Sequence, residues 1–557
     1  MTSTPAYAPA TVPLPQPKGP QLDTDALPDE PLFRPRDWAA AFTSQPQEFD
    51  YWMDEVEGAV PEALRGTLFR NGPGNFERGE HAYAHPLDGD GYVTAFSFNA
   101  DGRVHFRSRF VRTRELAAEQ AAGAPLYRAT FGTARPGGPL SNALDIRLKN
   151  PANTNVLLWG AVPHTRLLAL WEAGPPYELD PHTLETKAGG PSSLDGWVRA
   201  GKAPSTTGSF VLDRALELGS ALTAHPHIDP PAPGRSARLA LWKWQSQMTV
   251  TGSCMRIDVV EYDEAWKRVG GNAFQMEDSF FNPHDFGMTP NHYVFFQNAT
   301  SFSMWKYLFG LAGPAQCVEL VPNQPMKVHV VPRGRGPAKV YEAENAFLIH
   351  HANAFEEGDD TIVWSSGWGP EALKTLASGS GMLGSWKVLM KGDFSGIPFT
   401  SFWRHRINRV TGEVRREVLY EGQSMDHPKV NPLFAGRPTR FAYFNGSFHV
   451  DKQQLAGPPQ VWTRLDAETG EAQLWSPGLR CFTEELMFVP GAGGSETEDD
   501  GYLLGMYFDA GLERSCLVVL DAADFSKGPV ARLWLKHHVP HGLHGFYSEQ
   551  YYGPLTQ

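Results

Sequence analysis

The sequence predicts an all-β protein, a seven-bladed β-propeller with a cap of helices and loops over one face. The chain has 557 residues, which is long for one compact core and favours either several domains or one large closed architecture. Its 55 glycines and 46 prolines make up about 18% of the chain, against an average of roughly 12%, and therefore predict many turns. The third observation is a recurring hairpin pattern.

Two alternating runs joined by an Asp, Asn or Gly turn recur seven times along the chain. The candidate hairpins are residues 96–110, 176–188, 255–269, 327–343, 403–420, 462–476 and 517–535. Such turns are typical of β-hairpins, and their recurrence indicates repeated sheet units that close on themselves. A pair of β-sandwiches remains the alternative, because the repeats share turn residues rather than sequence identity. In a propeller, residues 112–125 and 295–316 would form helices and loops of the cap.

The chain divides into residues 1–36, predicted to be a disordered proline-rich arm, and residues 37–557, predicted to be the folded domain. The arm has nine prolines in its first 35 residues, which favours an extended conformation. It lacks the basic and apolar segments of a signal or transit peptide. At the start of the folded domain, residues 37–53 predict a short helix.

Composition excludes some functions. The net charge is −13, with acidic residues spread along the chain, so no nucleic-acid partner is expected. No run approaches 18 consecutive apolar residues, so no segment is predicted to span a membrane. The four cysteines form no CxxC pair and fit neither a zinc site nor a disulfide framework. These features predict a cytoplasmic protein with reduced thiols.

Four of the 19 histidines stand out by their sequence context: His225 in "LTAHPHIDP", His284 in "FFNPHDFGMTP", His350 in "FLIHHANAF" and His544 in "PHGLHGFY". They form no local metal motif such as HExxH, so the fold would have to bring them together. The inner strands of a propeller would do so by presenting them toward the axis. The alternative is four separate histidines that each bond a backbone partner.

An all-histidine site would have a defined chemistry. Neutral imidazoles suit Fe(II), and also Zn, Cu or Ni, and the second ring nitrogen of each ligand usually bonds a carboxylate. Candidate carboxylates are Glu172, Asp426 and Glu485, which otherwise are ordinary acids at strand ends. Because side chains alternate along a strand, His350 and its neighbour His351 should point to opposite faces, so at most one of them faces the site.

Many segments together resemble the carotenoid cleavage oxygenase family, in particular its cyanobacterial apocarotenoid oxygenase branch. They follow one another in order from about residue 37 to the C-terminus: "LFRNGPGNFE", "HPLDGDGYVTAFSF", "IRLKNPANTN", "LLALWEAGPPYELDPHTLET", "TAHPHIDP", "HDFGMTP", "HHANAFEE", "GRPTRFAYF", "EDDGYLLGMYFD" and "LHGFY". The resemblance implies a seven-bladed propeller with one non-haem Fe(II) on its axis and no organic cofactor.

The resemblance also implies residue roles. The four iron ligands fall on His225, His284, His350 and His544, so the first histidine of the doublet is the ligand. The carboxylates that orient three of them fall on Glu172, Asp426 and Glu485. Thr154 matches a residue whose methyl group crowds one open iron position. Asp426 stands where the family has a glutamate, and the shorter side chain predicts a longer or rerouted bond to its histidine.

An apolar tunnel and a membrane-facing mouth are further family features. Residues 301–316 concentrate Trp305, Tyr307, Leu308, Phe309 and Leu311 around one lysine, a composition suited to peripheral contact with a bilayer interface. A buried segment of the cap is the alternative. Aromatic residues make up 12% of the chain, which suits a tunnel for a polyene, although aromatic side chains also pack ordinary cores.

The function implied by the resemblance is oxidative cleavage of one C=C bond of an apocarotenal or apocarotenol by O2, giving two carbonyl products such as retinal. Alternatives are cleavage of stilbenes or phenylpropanoid alkenes, isomerohydrolase chemistry as in the vertebrate retinoid isomerase, and a metal-free propeller scaffold. Residues 360–402 depart most from the family pattern and are expected to affect substrate selection.

Overall fold

The computed structural model describes residues 33–205, 209–249, 252–280, 283–378, 391–394, 396–448, 457–491 and 497–554. Within these residues the chain is mostly β-strand with few helices. The strands form seven sheets arranged as the blades of a propeller, so the predicted fold class is confirmed.

The blades are numbered I to VII along the chain, and the strands of each blade follow in order from the axis outward. Blade I contains Gly545–Ser548, Gly66–Asn75, Asp90–Phe98, Val104–Phe110 and Asp50–Trp52; blade II contains Asn155–Trp159, Arg166–Leu170 and Tyr177–Leu179. In blade III, Ala221–Leu222 and His227–Asp229 both pair with Arg238–Thr249, followed by Gly252–Tyr262 and Arg268–Glu277. Blade IV contains Gly287–Met288, His292–Gln297, Met326–Pro332 and Lys339–Ala343.

The remaining three blades follow the same order. Blade V contains Phe347–Glu357, Asp360–Trp368, Thr400–Asn408 and Val414–Gln423; blade VI contains Met425–Lys429, Phe441–Gly446, Val461–Asp466 and Ala472–Trp475. In blade VII, Cys481–Thr483 and Met487–Pro490 both pair with Gly501–Asp509, followed by Arg514–Asp521, Pro529–Trp534 and Val56–Gly58. Consecutive strands thus fill each blade before the chain moves to the next.

Strands from both ends of the chain close the ring. The C-terminal strand Gly545–Ser548 pairs with Gly66–Asn75 near the N-terminus, with Arg70 opposite Gly545. Near the N-terminus, Val56–Gly58 pairs with Pro529–Trp534 at the outer edge of blade VII. The first and last blades are therefore each completed by distant parts of the sequence, which covers sheet edges that would otherwise be open.

Six of the seven predicted hairpins are strand pairs in the structure. The exception is residues 176–188, where Tyr177–Leu179 is a strand but the return segment makes only the isolated bridge between Leu179 and Thr186. The reason is local, because the Asp180 carboxylate accepts the backbone N–H groups of His182 and Thr183 and holds the chain in a turn.

The helix predicted for residues 37–53 is wrong beyond its first turn. A helix spans Pro35–Ala40, whereas Asp50–Trp52 is the outer strand of blade I. Pro46 lies between the two, and proline disfavours helical conformation in the residue before it. The Phe33 ring already packs on Phe394, at a centroid distance of 5.4 Å. Residues 1–32 lie outside the described residues, so the disordered arm stays a prediction.

The cap combines helices with short strand pairs. The prediction for 112–125 matches the helix Arg114–Ala122, which the Thr113 hydroxyl caps by accepting the Leu116 N–H. The prediction of cap helices and loops for 295–316 holds only for the helix Met304–Leu308 and the turn Ala315–Cys317. The earlier residues instead belong to a core strand of blade IV and to the strand Thr300–Phe302, which pairs with Val318–Leu320. The other described helices are Gly138–Asn142, Phe210–Ala215 and Pro370–Ser378, and Glu77–Arg78 pairs with His81–Ala82.

None of the described helices combines the length and apolar character that crossing a bilayer requires.

The closing strand Gly66–Asn75 provides a test of the fold. Leu68 is fully buried in the core between blades I and VII, so Leu68→Ala should lower the free energy of unfolding by about 2–5 kcal/mol. The matched control is Leu512→Ala, because Leu512 is 56% exposed and should change stability by less than about 0.5 kcal/mol. Urea denaturation followed by fluorescence measures both, and equal effects would contradict this role of Leu68 in ring closure.

Candidate metal centre

Each blade contributes at least one polar side chain to a cluster on the propeller axis. His544 immediately precedes the inner strand of blade I, His225 lies between the two inner strands of blade III, His284 precedes the inner strand of blade IV, and His350 lies within that of blade V. Blades II, VI and VII contribute Glu172, Asp426 and Glu485. The structure therefore brings together all seven residues that sequence reasoning singled out as ligands and their carboxylates.

The four imidazole rings surround one point. The centroid of His225 lies 4.4 Å from that of His284, 4.9 Å from that of His350 and 4.7 Å from that of His544. His350 lies 5.0 Å from both His284 and His544. The Nε2 atoms of His225 and His284 are 3.0 Å apart, and ring nitrogens of His225, His350 and His544 lie within 4.8 Å of one another.

Three of the four rings are oriented by carboxylates. His284 Nδ1 lies 2.6 Å from Glu172 Oε2, His350 Nδ1 lies 2.8 Å from Asp426 Oδ1, and His544 Nδ1 lies 2.8 Å from Glu485 Oε1. Because a carboxylate accepts, each Nδ1 carries a proton, and in the neutral ring each Nε2 is left with a lone pair.

The shorter Asp426 does not lengthen its bond as the sequence predicted, since its distance to His350 equals that of the Glu485–His544 pair. The Ser366 hydroxyl donates to the same Asp426 oxygen at 2.8 Å and holds it in place.

The donor set fits a divalent transition metal. His350 Nε2 is buried and has no hydrogen-bond partner among the described residues, which is costly unless a ligand uses its lone pair. Burial and the neighbouring histidines hold the pKa of His225 well below its usual range. Burial likewise lowers the pKa of His544 to about 4. Both rings are therefore neutral near pH 7, the form that binds metals.

His284 differs from these two rings. Although burial opposes its charge, the Glu172 carboxylate raises the pKa of His284 to about 9. A divalent cation at the centre would take the place of the proton that His284 otherwise carries on Nε2.

Lys429 was missed by sequence reasoning. Its Nζ lies 2.8 Å from Glu485 Oε1, the same oxygen that accepts from His544. Burial opposes the charge of Glu485, but Lys429 and His544 hold the pKa of this carboxyl well below its usual range. The three carboxylates, Lys429 and a divalent ion would together carry no net charge, which reduces the cost of burying them.

The second histidine of the doublet faces away from the cluster. His351 Nδ1 lies 2.8 Å from the Ser365 hydroxyl, and its ring packs on Phe296 at 5.1 Å. Thr154 lies beside the cluster, because its carbonyl accepts the His544 N–H at 3.3 Å. The crowding of an open metal position by its methyl group stays a prediction.

A fifth histidine, His427, also adjoins the cluster and was missed. Its ring centroid lies 5.2 Å from that of His350 and 5.0 Å from that of His544. The available signal was a histidine in "MDHP", directly after the candidate carboxylate Asp426.

The apolar residues predicted at a membrane-facing mouth divide into two groups. Trp305, Phe309 and Leu311 are 56%, 61% and 53% exposed. Tyr307 and Leu308 are half-buried. The guanidinium of Arg128 lies over the Tyr307 ring at 4.4 Å, and the Leu308 carbonyl accepts the Leu144 N–H. An open groove of about 610 Å³ runs beside them, lined by Leu144, Ser301, Phe302, Ser303, Met304, Trp305, Leu308, Phe309 and Glu319.

The histidine doublet provides a matched test of the metal centre. His350→Ala should reduce bound metal from about one ion per chain to near zero, because it removes one of the four converging donors. His351→Ala should keep the metal and lose only stability, because this ring contacts Ser365 and Phe296 instead. Elemental analysis of both purified variants measures the difference. Full metal content in His350→Ala would remove this residue from the ligand set.

Comparisons with known proteins identify the family of the chain. The sequence profile of the family described as retinal pigment epithelial membrane protein (RPE65) matches residues 42–549. The chain is 37% identical to apocarotenoid-15,15'-oxygenase of Synechocystis over 529 residues, which cover 94% of this chain and 98% of that protein. It is 27% identical to resveratrol cleavage oxygenase 1 of Aspergillus fumigatus, over 89% of this chain and 92% of that protein.

A solved structure of cobalt-substituted Synechocystis ACO matches with a TM-score of 0.80 and 36% identity, covering 93% of this chain and 100% of that chain. The profile match extends over most of the chain, and the closely related proteins are named oxygenases. The protein therefore belongs to the RPE65 and carotenoid cleavage oxygenase family and is a cleavage oxygenase of that family.

Proposed function

We propose that the protein is an Fe(II)-dependent dioxygenase that cleaves one C=C bond of an apocarotenal or apocarotenol with O2, giving two carbonyl products such as retinal. The observation that carries the proposal is the convergence of four imidazoles, three of them fixed by carboxylates, on one point of the axis. Similarity to a Synechocystis enzyme named for apocarotenoid cleavage supports the substrate class.

The reaction balances without a reductant or an organic cofactor. Each carbon of the broken double bond receives one atom of O2, and the four electrons that reduce O2 come from that bond. Iron held by four neutral imidazoles would supply an open position at which O2 is bound and activated.

The residues of the chain hold and orient this centre. Glu172, Asp426 and Glu485 keep the Nδ1 protons of His284, His350 and His544 in place and so direct each Nε2 toward the axis. The backbone bond between Thr154 and His544 fixes a further neighbour of the centre. The substrate's double bond must lie within reach of O2 in a site that excludes water, and the buried location of His225, His350 and His544 suits that requirement.

Cleavage of a stilbene is the second candidate function. One observation favours it, because His427 introduces a polar group beside the centre that a hydrocarbon chain cannot satisfy. The relative named for resveratrol cleavage shows that the family includes such enzymes. A metal-free scaffold is disfavoured, because it would leave His350 Nε2 buried without a partner.

The proposal is tested with iron-loaded protein and a small panel of polyenes and stilbenes. We expect about one iron per chain, O2 uptake with apocarotenals, and two carbonyl products by mass spectrometry that incorporate one atom of labelled O2 each. Removal of iron by a chelator should abolish uptake, and its return should restore it. Turnover of resveratrol-like stilbenes without turnover of polyenes would reverse the order of the two candidates.

We also propose that Trp305, Phe309 and Leu311 dock on a membrane surface from which an apolar substrate enters. Replacing all three by serine should lower binding to phospholipid vesicles by about tenfold or more, because their exposed apolar area is lost. Vesicle co-sedimentation measures this, with Leu512→Ser as a control at an exposed leucine elsewhere. Unchanged sedimentation of the triple variant would contradict the assignment.

A further inference from the structure

His427 is a polar group beside the candidate metal centre that the proposed function does not use. Its centroid lies 5.0 Å from that of His544 and 5.2 Å from that of His350, while those two rings are themselves 5.0 Å apart. It therefore adjoins the cluster about as closely as the proposed ligands adjoin one another.

The arrangement does not make His427 a fifth ligand of the same ion. In octahedral geometry, a fifth ligand lies next to at least three of the other four. Among the described residues, His427 has ring contacts with His350 and His544 but with neither His225 nor His284. The His427 ring thus lies next to His350 and His544 but outside the group of four proposed ligands.

The backbone is irregular where it delivers this ring. In blade VI, Asp426 pairs with Asn445 and Lys429 with Tyr443, and the register is broken between the two pairs. His427 has a φ of 53°, in the left-handed region that residues with a Cβ rarely adopt. As a result, the consecutive side chains of Asp426 and His427 both contact His350, which a regular strand would not allow.

Neither nitrogen of His427 has a hydrogen-bond partner among the described residues, and Nδ1 is fully buried. The residue as a whole is only half-buried, so part of it is accessible. A neutral imidazole offers one N–H donor and one acceptor, and buried groups of this kind normally have partners.

We propose that His427 forms a subsite for a neutral oxygen atom, a hydroxyl or a carbonyl, on the carbon skeleton that lies at the metal. The proposal rests on the proposed function, which places a cleavable alkene at that point. The oxygen has two possible sources, the carbonyl that cleavage creates and a hydroxyl on an aromatic substrate. The carbonyl would accept from the ring N–H of His427, and the hydroxyl would accept from that N–H or donate to the other ring nitrogen.

The experiment measures binding without turnover, using iron-loaded protein in the absence of O2 and quenching of tryptophan fluorescence. Two ligand pairs separate the sources: retinal against the hydrocarbon in which a methyl group replaces the aldehyde, and 4-hydroxystilbene against stilbene. The wild type should bind the oxygen-bearing member of at least one pair about tenfold more tightly than its hydrocarbon partner. This is the gain in affinity expected from one hydrogen bond to a buried neutral group.

Substitutions of His427 test whether this residue causes the preference for the oxygen-bearing ligand. His427→Phe should remove it while leaving hydrocarbon binding unchanged or tighter, and His427→Asn should retain much of it, because asparagine tolerates the left-handed conformation and keeps a donor. Iron content shows whether each variant is intact, and His427→Leu replaces His427→Phe if the latter loses iron.

The outcomes distinguish the two sources of the oxygen atom. A preference lost only for retinal identifies the product carbonyl, and one lost only for hydroxystilbene identifies a substrate hydroxyl. Equal preferences in wild type and His427→Phe, or none in the wild type, would overturn the subsite. Neither result bears on iron content or O2 uptake, by which the proposed function stands or fails.

Discussion

The hydrogen bonds between three imidazoles and three carboxylates are the constraint on which the rest of this site depends. Each bond places a proton on Nδ1, so the lone pair of each Nε2 points toward the same volume on the axis. The bonds cross between blades, because the histidine and its carboxylate never come from the same sheet. The propeller is therefore both the scaffold and the source of the donor set, with the four histidines from blades I, III, IV and V and their carboxylates from blades II, VI and VII.

Ring closure holds this arrangement together. His544 immediately precedes the strand Gly545–Ser548, which completes blade I by pairing with residues near the N-terminus. Its carboxylate partner Glu485 comes from blade VII, the other blade that distant segments complete, and Lys429 from blade VI binds the same carboxylate. The two ends of the chain thus meet where one of the four proposed ligands is fixed, so the fold and the centre are linked energetically.

Much of the fold could be predicted from the sequence, because hairpin turns are local signals, whereas the roles of the seven site residues followed from the resemblance to the family. What could not be predicted depends on register and tertiary contact. Asp426 was expected to form a longer or rerouted bond to His350, but the backbone places it at 2.8 Å and Ser366 supports it. His427 contacts the cluster only because the strand of blade VI is irregular at that residue. Residues 50–52 follow a helix in sequence but pair with blade I.

The central claim is that four imidazoles, and no carboxylate or thiolate, bind one ion on the axis. X-ray absorption spectroscopy of the iron-loaded protein tests it most directly, because the scattering of imidazole rings is distinct from that of carboxylates and sulfur. We predict a first shell that contains four imidazole nitrogens, unchanged in His351→Ala. A shell containing sulfur or a carboxylate, or fewer than four imidazoles in the intact protein, would contradict the claim.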